Sequence, residues 1–110
     1  MRNIPVNLGG YRLRIAEAPT MKTRKDKDGR EEVVTVDGLT RYTVSLFAKS
    51  DGAKGEEIRV TLETDPGDGF EEGQLVELIN ARVSPYSFRN DRGETVSGMA
   101  FAAMGLKPAA

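Results

Sequence analysis

Two stretches of the sequence carry side chains that could hold a phosphate and stack on a planar ring. The first runs from Met21 to Glu32 and is rich in lysine and arginine. The second runs from Ser84 to Glu94 and combines Tyr86 and Phe88 with two arginines. Lysine and arginine neutralise phosphate groups, and exposed aromatic rings stack on nucleobases. These residue types predict non-covalent binding of an anionic, aromatic ligand.

Catalysis finds less support in the residue types. The chain has no cysteine and no histidine, which excludes thiolate chemistry and removes the commonest general base. Asp26 to Glu31 lacks the ligand spacing of a calcium loop. An acidic loop contains Asp65, Asp68, Glu71 and Glu72. These carboxylates could bind a hard cation or act as an acid/base pair, but acidic loops of this kind are usually only solvated. We therefore expect no enzymatic activity, no cofactor and no metal site.

Length and composition limit the architecture to one domain. At 110 residues the chain can form one hydrophobic core, since domains cluster at about 100 to 150 residues. We expect one domain over residues 1–106 and a frayed tail over 107–110. The first residues lack the apolar core of a signal peptide, and no apolar run approaches the ~20 residues that span a bilayer. A cytoplasmic protein is expected.

The net charge of −1 conceals an uneven distribution. Residues 1–50 carry ten basic and six acidic side chains, residues 51–77 carry two and nine, and residues 78–110 carry four and two. The chain is therefore dipolar rather than neutral. We expect the acidic segment 51–77 to lie on the side of the domain away from any bound phosphate.

Apolar and polar residues alternate with a period of two, which indicates β-strands. In the first such segment Tyr11, Leu13 and Ile15 are expected to face the core. Pro66 and several glycines separate the third and fourth segments and allow at most one helical turn, at 70–72. The pattern predicts an all-β fold with strands at Tyr11–Ile15, Arg41–Lys49, Glu57–Thr64, Leu75–Val83 and Val96–Met104. A five-stranded barrel, a β-sandwich and an SH3-like barrel all fit this count.

Two motifs add a family resemblance. Gly73, Val76 and Leu78 form a Gly-x-x-Val-x-Leu entry to the predicted fourth strand, and Ser97 to Leu106 looks like a closing strand. The sequence resembles the small OB-fold single-stranded-nucleic-acid-binding proteins of plasmids, phages and integrative elements. The resemblance covers nearly the whole chain and implies a five-stranded OB-like Greek-key barrel.

The resemblance also implies where a ligand would bind. OB folds bind oligonucleotides across the second and third strands, between the loop that joins the first two strands and the loop that joins the last two. The candidate nucleic-acid-binding residues are then Lys22, Arg24, Lys25, Lys27, Arg30, Arg41, Phe47, Lys49, Arg59, Tyr86, Phe88, Arg89 and Arg92. We expect binding of single-stranded DNA, in preference to RNA, with little sequence preference, accessory to replication, transfer or recombination. No membrane partner is expected, and a homo-oligomer would raise avidity.

Other interpretations of the same residues stay open. The basic stretch could be a solvated hairpin tip, and Tyr86 and Phe88 could be buried under a long loop. Phe47 could cap the barrel or contact a partner subunit. The main alternative function is a protein-protein interaction module that uses the barrel groove or a strand edge.

Overall fold

The computed structural model describes residues 3–109, and none of these residues is helical. Twelve strands make up the regular structure, numbered in chain order. They are β1 (Ile4–Pro5), β2 (Arg12–Met21), β3 (Thr23–Lys25), β4 (Glu31–Val33), β5 (Thr35–Val36), β6 (Leu39–Thr40), β7 (Tyr42–Lys49), β8 (Glu56–Leu62), β9 (Leu75–Ile79), β10 (Arg82–Arg89), β11 (Thr95–Ala103) and β12 (Gly105–Pro108). The all-β prediction is confirmed.

Eight strands form one sheet in the order β1-β10-β11-β8-β7-β2-β9-β12. β9 and β10 are joined only by Asn80 and Ala81, although four strands lie between them in that order. In a flat sheet they would stand roughly 24 Å apart, at about 4.8 Å per strand, whereas the linker from Ile79 to Arg82 reaches at most about 11 Å. The sheet must therefore curl on itself until β9 approaches β10.

The expected count of five strands is too low, and the backbone shows why. Asn80 adopts a left-handed conformation with φ 52°, which divides the predicted strand Leu75–Val83 into β9 and β10. Met104, whose φ is not positive, separates β11 from β12. Each half then pairs with a different neighbour, β9 with β2 and β12, and β10 with β11 and β1. Period-two alternation continues through such a bend and so does not reveal it.

The chain between β8 and β9 contains no helical turn at residues 70–72. Gly67, Gly69 and Gly73 all have φ between 77° and 101°, which an α-helix cannot accommodate. Phe70 packs against the core from this connector. At the other end of the chain, β12 continues past residue 106, with Lys107 opposite Glu77. Ala110 lies outside the described residues.

The core lies inside the curl and is built from alternate residues of the long strands. Leu46, Val60 and Leu62 have no exposed surface. They pack with Leu13, Ile15, Val44, Ala48, Val76, Ala103 and Leu106. The expected core position of Tyr11 is wrong: this side chain precedes β2 and is 46% exposed. A β2 that begins at Arg12 leaves Tyr11 beyond the ladder that directs Leu13 inward.

Three hairpins extend from this curled sheet. β3 pairs with β4, β5 pairs with β6, and the distal parts of β10 and β11 pair with each other. The radius of gyration is 15.0 Å, whereas a compact chain of this length is expected at about 13 Å. The hairpins account for the difference. No helix among the described residues is long and apolar enough to cross a membrane.

Candidate nucleic-acid interface

The strand register defines the face of the sheet that points away from the core, called the outer face below. Residues directly opposite one another in a ladder share a face. Phe47 lies opposite Arg14 on β2 and Glu57 on β8, and Ser45 lies opposite Arg59. The parallel pairing of β8 with β11 continues this face through Thr61 and Ala102. The ladder between β11 and β10 then carries it to Tyr86, opposite Gly98, and to Phe88.

Candidate residues far apart in the sequence therefore share one surface. Tyr86, Phe88 and Phe47 belong to the outer face, together with Lys49 and Arg59. Basic side chains outnumber acidic ones there. The basic side chains are Arg12, Arg14, Lys22, Arg41, Lys49, Arg59, Arg82 and Lys107, and the acidic ones are Glu17, Glu57, Glu63 and Glu77.

The first basic stretch forms a β-hairpin, with β3 and β4 joined by a turn at residues 26–30. The Asp26 carboxylate accepts hydrogen bonds from the amides of Asp28 (2.9 Å) and Arg30 (3.0 Å). Gly29 has φ 80°, which suits the left-handed position of a short hairpin loop. The local order of Asp, Gly and flanking polar residues thus fixes the turn.

The hairpin is less positive than its loop alone would indicate. Lys25, Lys27 and Arg30 are exposed. The Arg24 guanidinium, however, is paired with Glu32 at 2.9 Å. Because Glu31 and Glu32 belong to the returning strand, the net charge over residues 22–33 is only +1. The hairpin offers cations at its tip and a neutralised stem.

A second small hairpin, β5 and β6, follows directly and was missing from the sequence prediction. Asp37 and Gly38 form its turn with φ of 53° and 78°. Asp-Gly between alternating apolar residues is a strong hairpin signal and could have revealed it. The backbones of Lys22, Val34 and Arg41 close a ring of three hydrogen bonds, Lys22 to Arg41 (2.8 Å), Arg41 to Val34 (2.9 Å) and Val34 to Lys22 (2.8 Å). Three two-stranded ladders branch from this ring.

The second predicted loop is also mostly β-structure. Residues 84–89 continue β10, and β11 begins at Thr95, so only residues 90–94 form the turn. The Asn90 side chain accepts hydrogen bonds from the amides of Arg92 and Glu94, both at 3.0 Å. Gly93 has φ 78°. This turn repeats the geometry at Asp26, and it holds Arg89 and Arg92 exposed near the tip of the hairpin.

Tyr86 and Phe88 form the most exposed aromatic pair on the outer face. Their side chains project from the same side of β10, with ring centroids 6.1 Å apart and ring planes inclined by 20°. Tyr86 is 46% exposed and Phe88 54% exposed. A burial of these rings beneath a loop, the alternative from the sequence, is therefore not observed. Two nearly parallel exposed rings are a geometry on which nucleobases can stack.

Phe47 is 44% exposed on β7. Its ring does not stand free of the sheet. The far edge of the ring lies over Gly55, at the end of the turn that leads into β8. Phe47 presents the remaining surface to solvent beside Arg14 and Glu57.

Arg41 and Arg82 share one carboxylate, that of Glu63, which follows β8. Arg41 Nη1 lies 3.8 Å from Glu63 Oε2, and Arg82 forms an ion pair with Oε1. The side chains of Arg41, Arg82 and Glu63 are 18%, 27% and 30% exposed. Lys22 lies nearby, donating a 2.9 Å hydrogen bond to Thr61. Arg41 thus ties the hairpin junction to β8 and β10.

The acidic segment does not keep wholly to the far side of the molecule. Glu57 and Glu63 both belong to the outer face. The connector also reaches this face, since Arg14 Nη1 donates to the Gly73 carbonyl at 3.0 Å. Alternation places every second residue of β8 on the outer face regardless of its charge, so the expectation fails for these two glutamates. Within residues 3–109 no cluster of acidic side chains has the geometry of a metal site.

Together these features define an all-β chain with a curled sheet, a basic and aromatic outer face, and projecting hairpins. A solved structure of this class is the mitochondrial single-stranded DNA-binding protein Rim1 from S. cerevisiae. The two chains superpose with a TM-score of 0.65 at 14% sequence identity, over 98% of this chain and 96% of that chain. The predicted resemblance is confirmed at the level of the fold. No family model matches the sequence, and no curated protein matches it.

Proposed function

We propose that the protein binds single-stranded DNA with little sequence preference, using the outer face and the two hairpins that flank it. One observation carries the proposal: the register brings Tyr86, Phe88 and Phe47, from separate parts of the sequence, onto one predominantly basic face. The fold shared with a single-stranded DNA-binding protein supports the same ligand class. In this proposal β9 with β10, and β11 with β12, act as two bent strands of a five-stranded OB-like barrel.

Binding would begin with electrostatic attraction to the exposed cations. Lys25, Lys27 and Arg30 occupy one hairpin tip, and Arg89 and Arg92 occupy the other. Lys49 and Arg59 lie on the sheet between them. Each phosphate neutralised on a single strand contributes about −0.7 to the slope of log affinity against log salt.

Stacking would then hold the bases. Aromatic side chains support stacking on any base because every base has a π-face, and each stacked base contributes about 1–3 kcal/mol. The near-parallel rings of Tyr86 and Phe88 suit two successive bases, and Phe47 suits a base further along the strand. Stacking of this kind explains binding with little sequence preference.

The biological setting is part of the proposal. The protein acts as a non-enzymatic, cytoplasmic accessory to replication, transfer or recombination, with DNA preferred over RNA. The mobile-element setting rests on the sequence resemblance alone. A homo-oligomer would extend the binding site, because joining domains raises the effective concentration of each one.

Fluorescence anisotropy tests the ligand class. A labelled oligo-dT, an oligo-rU of the same length and the matching DNA duplex are titrated at low and moderate salt. We expect the oligo-dT to bind most tightly, with an affinity that falls as salt rises. Equal affinity at both salt concentrations would refute the electrostatic step, and tighter binding of the duplex would refute the single-strand preference.

A pair of charge variants tests the location of the site. Arg59→Gln removes a cation from the outer face and should reduce the salt slope by about 0.7. Lys107→Gln removes the same charge from β12, an edge strand four ladders away from β8 in the sheet. Lys107 already pairs with Glu77 at 3.4 Å, so this variant should leave the slope unchanged. Equal effects of the two variants would show that net charge, rather than the position of the cation on the outer face, governs binding.

A protein-protein interaction module remains the second candidate function. The observation that favours it is the tip of the β5–β6 hairpin, where Val36 and Leu39 lie opposite each other and are exposed. Apolar side chains at such a tip could enter a pocket on a partner. Replacement of both by serine would abolish an interaction of this kind and leave oligo-dT binding intact.

A further inference from the structure

The ring of Tyr86 occupies space that only a glycine leaves open. Gly98 lies directly opposite Tyr86 on β11. A Cβ added to Gly98 would lie 2.5 Å from the Tyr86 hydroxyl oxygen, 2.7 Å from Cζ and 3.1 Å from Cε1. The phenol end of the ring therefore lies across β11, against the backbone of Gly98.

Phe47 repeats the arrangement elsewhere on the outer face. A Cβ added to Gly55 would collide with Cζ and Cε1 of the Phe47 ring. The far edge of this ring also lies against the backbone of a glycine. Two aromatic candidates for base stacking, in different hairpins, thus have the same support.

Backbone conformation does not account for these two glycines. Seven glycines of the described chain adopt a positive φ, and neither Gly55 nor Gly98 is among them. Gly98 lies within a regular ladder without a register shift, so no bulge requires a glycine at this position. Glycine inside a strand costs stability relative to residues with a side chain. An aromatic ring laid over a strand glycine is a known compensation.

We propose that Gly98 and Gly55 are positioning residues for base stacking, which hold the rings of Tyr86 and Phe47 against the sheet with one surface open to solvent. This inference rests on the proposed function. A ring fixed before binding loses less conformational freedom when a base stacks on it, so affinity is gained without an additional contact. Because the Phe88 ring lies nearly parallel to that of Tyr86, Gly98 orients this pair together.

The substitution Gly98→Ala tests the role directly. The new methyl group would displace the end of the Tyr86 side chain, which can rotate, while the backbone of β11 can stay in place. Gly10→Ala is the matched control, because a Cβ at Gly10 meets nothing within 4 Å and its φ is not positive. Circular dichroism and thermal unfolding verify that both variants fold.

Binding to oligo-dT is measured for both variants in the natural background and in a Tyr86→Leu background. We expect Gly98→Ala to weaken binding by about three- to tenfold in the natural background, the cost of ordering one side chain. It should have no effect when Tyr86 is leucine, and Gly10→Ala should have none in either background. An equal loss in both backgrounds would overturn the proposal, because the glycine would then act independently of the ring.

A measurement without DNA separates this inference from the proposed function. A ring that lies over Gly98 shifts the Gly98 α-proton resonances upfield, and Tyr86→Leu should abolish that shift. Absence of the shift in the unchanged protein would overturn the positioning role even if oligo-dT binds. Presence of the shift with no oligo-dT binding by the unchanged protein would overturn both the proposed function and the stacking role that rests on it.

Discussion

Neutralising Glu63 should destabilise the protein and strengthen its attraction to single-stranded DNA at the same time. In Glu63→Gln the two guanidinium groups of Arg41 and Arg82 lose their shared carboxylate. Both arginines belong to the outer face, so they become available to phosphate. A residue that stabilises the fold thereby limits the charge of the proposed site.

The loss of stability can be bounded from the exposure of the three side chains. Removing one partner of a buried ion pair costs about 3–5 kcal/mol, whereas exposed pairs contribute about 0–1 kcal/mol. Arg41, Arg82 and Glu63 are 18%, 27% and 30% exposed, which lies between these limits. Glutamine can still accept one hydrogen bond, so we expect a loss of about 1–2 kcal/mol. For a domain of this size that lowers Tm by roughly 4–15 °C.

The expected gain in binding affinity follows from the same two ion pairs of Glu63. Each newly available arginine that neutralises a phosphate adds about −0.7 to the salt slope. Release of both would therefore make the slope steeper by about 1.4. Thermal unfolding measures the loss of stability, and oligo-dT titrations at several salt concentrations measure the change in the salt slope.

Glu57→Gln is the matched control, because Glu57 is also on the outer face of β8 but is exposed. It removes the same charge without releasing the two arginines. We expect its effect on the unfolding free energy to stay within about 0.5 kcal/mol. If Glu63→Gln and Glu57→Gln changed the slope equally, the shared carboxylate would not be restraining the arginines.

Three further results are expected. Ser45→Ala should raise stability by about 1 kcal/mol in chemical denaturation, because the Ser45 hydroxyl is buried and has no hydrogen-bond partner among residues 3–109; a lower stability would show that the hydroxyl does have a partner. Asp26→Ala and Asn90→Ala should each accelerate hydrogen exchange of the two amides bound to the deleted side chain by about tenfold, and unchanged exchange would refute the capping role. Desolvation, and secondarily Asp65, raises the pKa of Tyr42 above 10.0. The stability that this shift contributes is present below pH 10 and is lost as pH rises through the pKa of Tyr42 in the folded state. Tyr42→Phe should therefore reduce the decline in Tm above pH 10. An unchanged decline would show that another group causes it.

The long strands could be predicted from the sequence because their signal is local. Val44, Leu46 and Ala48 recur at every second position of β7, and all three are buried in the structure. Phe47 and Lys49 on the opposite face are exposed, whereas Ser45 on that face is buried. The bend at Asn80 leaves no trace in that alternation, because both flanking halves keep an apolar face. The hairpin at Asp37 was missed for a different reason: its strands are only two residues long, too short to show a period.

The candidate site was predictable in composition and less so in arrangement. A spacing of two residues suffices to place Tyr86 and Phe88 on one side of an extended chain. Placing Phe47 on the same face requires the ladder from β10 through β11 and β8 to β7, which is a property of non-local pairing. Whether Arg41 is free to bind a phosphate depends on its shared ion pair with Glu63 and Arg82, which are 22 and 41 residues away in the sequence. Charge counts alone cannot identify which arginines are already paired.

The pairing of arginines with carboxylates decides whether charge or base stacking should dominate binding. Four arginines are held by carboxylates within the described chain, namely Arg12, Arg24, Arg41 and Arg82. If four of the remaining cations neutralised phosphates, the salt slope would be about −2.8, and affinity would fall only about fiftyfold between 50 and 200 mM salt. Three stacked bases would contribute about 3–9 kcal/mol, comparable to the whole of a micromolar affinity at about 8 kcal/mol. Loss of Tyr86, Phe88 and Phe47 should therefore weaken binding more than loss of any three exposed cations, and the opposite ranking would show that the outer face binds DNA mainly as a charged surface.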